Sequence, residues 1–143
     1  MDTDDLRKSV KGMIRIGTVE SVYPERMTAR VIYEDKDNNK SQELMIINRG
    51  AKANKDYWLP DIGDEAICLF PNNDKNFATG FIIGTHFSDT MPPQVNNKDV
   101  RRLDFSDGTY IEYNRASHEL NINCVGVINI KGARINLNWG NHF

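Results

Sequence analysis

The side chains able to do chemistry are few and scattered. Three histidines, His86, His118 and His142, fall in separate apolar segments or at the terminus. No HExxH, GxSxG, CxxC or phosphate-cradling glycine motif occurs. Asp61, Asp64 and Glu65 cluster after Trp58, but PDIGDE at 60–65 reads as turn chemistry before a strand rather than an acid–base pair. Cys68 and Cys124 lie far apart in apolar runs, which predicts two buried thiols in a reducing compartment. The residues therefore predict a protein that is not an enzyme, with no catalytic residue and no bound cofactor.

Aromatic and basic residues offer a second chemistry. Tyr23, Tyr33, Tyr57 and Trp58 lie near Arg26, Arg30 and Arg49, a composition that can stack and neutralise single-stranded nucleic acid. Charge argues against it: residues 1–97 hold 15 acids against 12 bases, and the whole chain carries a net −2. Nucleic-acid binding is kept as the alternative function, and no stable nucleic-acid partner is expected.

The elements that must position these residues are mostly strands. The 143-residue chain is 39% apolar and 27% charged, a globular composition without low-complexity segments. It has no apolar run of about 18 residues, the length that suggests a membrane helix. Its polar, acidic opening, MDTDDLRKSV, is unlike a secretory leader and predicts synthesis in a cytoplasm.

Residues 1–11 place acids early and bases late, which suits a short helix. Leu6 and Val10 are too little apolar surface to bury alone, so this arm should order only against a partner. Residues 12–87 carry five or so short strand patterns with almost no helix between them, including 27–33, 44–47, 66–70 and 79–84. That spacing predicts a small closed barrel such as an OB-fold. The run at 66–70 reads as a strand buried on both faces. Residues 88–99, with Pro92 and Pro93, have linker composition and mark the domain boundary.

Residues 100–143 hold short segments that alternate apolar and polar, strictly so at 118–124, broken at 106–108, which includes AspGly, and at 114–117, and punctuated by Gly126, Gly132 and Gly140. Strands are expected to continue through 128–130 and 133–139. The inward set is Leu103, Phe105, Ile111, Tyr113, Leu120, Ile122, Cys124, Ile128, Ile130, Ile135 and Leu137. The outward set is rich in asparagine, from Asn121 to Asn138, and includes Glu112. A segment this short, without helix, disulfide pair or zinc cluster, cannot bury its own core. Oligomerisation remains, with strands of several chains wound about a shared axis and Trp139, His142 and Phe143 at the tip. In a parallel trimer three copies of His142 would converge and offer a metal site. The other reading is an exposed terminal histidine.

Several segments together resemble the phage baseplate assembly protein V family. They are GTVESV at 17–22, ARV at 29–31, WLPDIGDEAICLF at 58–70 and TGFIIG at 79–84. The most specific is FSDGTYIEYNRASHEL at 105–120, similar to the start of that family's spike. The likeness spans about residues 12–130. It implies an all-β homotrimer, with an N-terminal OB-fold barrel, a C-terminal intertwined trimeric β-helix and a short N-terminal helical arm. The implied role is the central spike of a contractile tail, in a phage virion or a phage-tail-like bacteriocin, similar to type VI secretion spike modules.

Its implied partners are a trimeric baseplate hub, other baseplate and tail-tube proteins, and transiently the target envelope, punctured on sheath contraction. The arm and the outer barrel surface are expected to face the hub. Several long spikes of the family hold iron in a His-x-His tip. Here WGNHF at 139–143 carries one histidine, so His142 is the sole candidate metal ligand and no metal is assigned.

Overall fold

The computed structural model describes residues 2–34, 38–71 and 79–140. The chain divides into two compact units between Pro93 and Gln94. The division lies within the proline-bearing stretch 88–99. No helix among the described residues is long and apolar enough to cross a membrane.

The first unit opens with helix α1 (Thr3–Lys11). Asp2 caps it by accepting the Asp5 N–H at 2.8 Å, satisfying one of the orphan donors of the first turn. Asp4 and Asp5 in the first turn and Lys8 and Lys11 in the last match the helix dipole. Leu6 and Val10 are exposed, so the helix buries no apolar stripe of its own.

Six strands follow: β1 (Ile14–Tyr23), β2 (Thr28–Tyr33), β3 (Asn39–Lys40), β4 (Leu44–Ile46), β5 (Glu65–Leu69) and β6 (Phe81–Thr85). Five of them close a ring in the order β1-β2-β4-β6-β5, since β1 pairs with both β2 and β5. Only β4 and β6 run parallel; every other neighbouring pair is antiparallel. The short β3 extends β2 through Ile32↔Lys40 and Tyr33↔Asn39. The result is a closed five-stranded β-barrel, consistent with an OB-like barrel.

Strand alternation fills its interior with Val19, Ala29, Val31, Tyr33, Leu44, Ile46, Ala66, Cys68, Phe70 and Ile82. Tyr33 and Phe70 meet edge to face, centroids 6.2 Å apart. Gly17 makes room for this packing: a Cβ there would lie 2.5 Å from the Ile32 carbonyl oxygen and 2.5 Å from Val31 Cγ1. Trp58 and Leu59 pack against the core from the β4–β5 connection, and the Trp58 indole N–H donates to the Ile47 carbonyl at 2.8 Å.

The expectation for 66–70 is corrected here. Ala66, Cys68 and Phe70 are buried, but Ile67 and Leu69 are only half-buried. A closed barrel has one interior, so alternate residues of β5 must face outward however apolar they are.

The second unit is a three-stranded antiparallel meander of β7 (Val100–Asp104), β8 (Tyr110–Asn114) and β9 (Glu119–Asn123). The AspGly turn joins β7 to β8, with Gly108 at φ +96°, a left-handed conformation that a side chain would oppose. Asp107 accepts the Thr109 N–H at 2.9 Å, which lowers the Asp107 pKa from its ordinary value. Asn114 turns the chain toward β9 by accepting the Ala116 and Ser117 N–H groups at 2.9 and 3.2 Å.

Beyond β9 the strands expected at 128–130 and 133–139 do not form within one chain. A bend at Val125 and Gly126 takes the backbone out of the meander, and residues 127–140 form no strand among the described residues. Alternation in this segment specifies two faces but supplies no neighbouring strand.

Candidate assembly interface

The registry of the meander sorts its side chains onto two faces. Leu103, Ile111 and Ile122 stand opposite one another across β7, β8 and β9. Arg101, Tyr113 and Leu120 form the adjacent row on the same face. Five of these six residues are apolar, and in the single chain this face is uncovered: Leu103 is 62% exposed, Leu120 63% and Ile122 56%. Phe105, Ile128, Ile130 and Ile135 continue the exposed apolar series, and Leu137 reaches 89%. Monomeric proteins rarely leave contiguous apolar surface of this extent to water.

The opposite face is polar and self-engaged. Arg102 lies over the Tyr110 ring, 3.7 Å from its centroid. Its guanidinium also donates to Asp104 Oδ1 at 2.9 Å and to Glu112 Oε1 at 3.0 Å. The hydrogen bond to Asp104, with that to Glu112, raises the Arg102 pKa further. Glu112 lies on this polar face, as expected of the outward set, where the Arg102 stem and head cover it to half-burial. In the meander of one chain the polar face is the better covered of the two.

Cys124 also departs from expectation. Cys68 is buried in the barrel, where desolvation raises its thiol pKa, but Cys124 is only half-buried. Its sulfur accepts the Gly126 N–H at 3.4 Å and faces the Val127 carbonyl at 3.7 Å, so it helps to hold the bend after β9. Both cysteines are free. Trp139 is 84% exposed, while His142 and Phe143 lie outside the described residues. The described residues contain no group of three or more His, Cys, Asp and Glu side chains able to hold a metal ion.

The aromatic and basic residues of the barrel are brought together only in part: Arg26, Lys55 and Tyr57 line one depression. Tyr33 is a core residue, fully buried. Arg26 pairs with Glu43 at 2.7 Å and Glu25 at 3.0 Å while resting over Tyr23, and Arg49 pairs with Asp56. Their charges are already answered by carboxylates. The Arg102–Tyr110–Glu112 cluster was not singled out from the sequence; the alternation of an Arg and a Glu on facing strands is its only signal.

No family model matches the chain, and no curated protein matches it.

Proposed function

We propose that this protein is the homotrimeric central spike of a contractile injection tail, a structural part that performs no covalent chemistry. The observation that carries the reading is the apolar face of the second unit, uncovered in one chain and continued by exposed apolar residues as far as Leu137. Three copies wound about a common axis turn that face inward, and strands from neighbouring chains pair with residues 127–140, which form no strand in the single chain. The result is an intertwined β-helix with the asparagine-rich face outward.

The barrel supports the same reading. Its ring order, with one parallel pair among antiparallel neighbours, is that of an OB-fold, and three such barrels would form the collar that docks on a trimeric hub. Force comes from sheath contraction. A rigid rod delivers it to a small area of the target envelope, so the part needs stiffness rather than a catalytic group. Trp139, exposed in one chain, would cover the end of the axis, and no metal is assigned there.

Localisation in particles tests the role. Antibody raised against the barrel should label the baseplate end of contractile tails purified from the producing cells, whether virions or bacteriocins. Contractile particles that lack the protein, or label elsewhere, would contradict it.

A further inference from the structure

The outside of the barrel carries a second apolar surface. Met45, Phe81, Leu69 and Ile14 stand side by side across β4, β6, β5 and β1, each paired in register with the next. Ile67 and Ile16 form the adjoining pair. Met45, Ile14 and Ile16 are exposed, and Phe81, Leu69 and Ile67 are half-buried. A depression beside Ile16 is lined by Gly17, Thr18, Ile32, Glu34 and Glu65, so two carboxylates border the apolar rows. Glu65 also faces His86 Nε2 at 3.2 Å.

Helix α1 is the complement of this surface in shape and charge. Leu6 and Val10, four residues apart, form an exposed stripe, and Arg7 and Lys11, also four apart, run along one side of it. Nine helical residues at about 1.5 Å each measure ~14 Å. Four strands at a spacing of about 4.8 Å measure ~14 Å between the outer two. The chain's own helix does not cover its own ladder, because Leu6, Val10, Ile14 and Ile16 are all exposed together. Helical hydrogen bonding runs on through the junction, with the Gly12 N–H on the Lys8 carbonyl and the Met13 N–H on the Val10 carbonyl, both at 3.1 Å.

We infer that α1 of each copy lies across the outer barrel face of a second copy, with Leu6 and Val10 on the Leu69–Ile14–Ile16 surface and Arg7 and Lys11 beside Glu34 and Glu65. This rests on the homo-oligomeric reading and assigns the arm to a neighbouring copy rather than to the hub. A ring of such contacts ties the barrels together independently of the C-terminal rod.

The test is disulfide trapping in the full-length chain on a Cys124→Ala background. Two differently tagged variants, Leu6→Cys and Ile16→Cys, are co-expressed, oxidised and separated under denaturing conditions, and the uncrosslinked mass is measured by light scattering. The expected result is a trimer in which a disulfide joining the two tags forms at the one junction of each mixed trimer where Leu6→Cys meets Ile16→Cys, lost when Arg7→Glu and Lys11→Glu are added. A trimer without that disulfide overturns the inference and leaves the trimeric reading intact. A monomer overturns both. A Leu6→Cys/Ile16→Cys double variant that closes within one chain also overturns it.

Discussion

The barrel and the meander use the same strand alternation to opposite ends. In the barrel, five strands curl until β1 meets both β2 and β5, and alternate residues from every strand converge on one interior. In the meander the sheet stops at three strands, and its apolar rows face outward. Closure makes the first unit able to bury its core within one chain. Its lack leaves the apolar rows of the second unit uncovered in one chain. The difference is one of topology: β1 pairs with both β2 and β5 to close the ring, whereas the meander pairs only β7 with β8 and β8 with β9 among the described residues.

The largest expected effect separates the two. In the proposed trimer, Ile122→Asp would put a carboxylate into each copy of a shared apolar axis, where unpaired buried charge is strongly disfavoured. The trimer should be lost while the barrel keeps its near-ultraviolet circular dichroism and its own melting transition. A variant that stayed trimeric would show that the Leu103–Ile111–Ile122 row is not the shared core.

Ile82→Ala strikes the other side of the comparison. Ile82 is fully buried in the barrel, and its truncation should lower barrel stability by about 2–5 kcal/mol. Denaturant titration should show that loss with the oligomeric mass unchanged. Gly17→Ala tests closure through steric fit. The added methyl meets backbone as well as side-chain atoms, and such overpacking costs roughly 1–3 kcal/mol. A neutral result would mean that β1 and β2 can separate without harm.

The smallest effect is electrostatic and confined to the barrel. The Arg26 hydrogen bond, followed by that from Thr28, holds the Glu43 carboxyl below its ordinary pKa of 4.5. A pKa depressed in the folded state contributes stability above the unfolded value, lost as pH falls through the folded one. Melting measured from about pH 6 down to about pH 3 should therefore fall less steeply for Glu43→Gln than for the parent. Equal slopes would remove Glu43 from the acid response.

Much of this division is legible in the residues themselves. Alternation within 103–105, 111–113 and 118–124 marks the apolar face, and AspGly at 107–108 marks the turn between β7 and β8. The helix is readable from acids at 2–5 and bases at 7–11. A small closed barrel is expected from the strand spacing, but which strands β1 pairs with to close it is not readable, because that choice depends on strands far away in sequence. For the same reason the outward placing of Ile67 and Leu69 is hidden in a continuous apolar run. Residues 128–139 mislead in another way: alternation identifies strand-forming chemistry but not which chain provides the neighbouring strand. Arg102 shows a further limit, since its cover over Glu112 depends on side-chain reach rather than on spacing.

The most direct test of the shared core is the mass of the intact chain in solution, measured by light scattering coupled to size exclusion over a range of concentrations. The account predicts a species of three times the 16.4 kDa chain mass that persists on dilution. A monomer at every concentration, with the meander still folded, would contradict it.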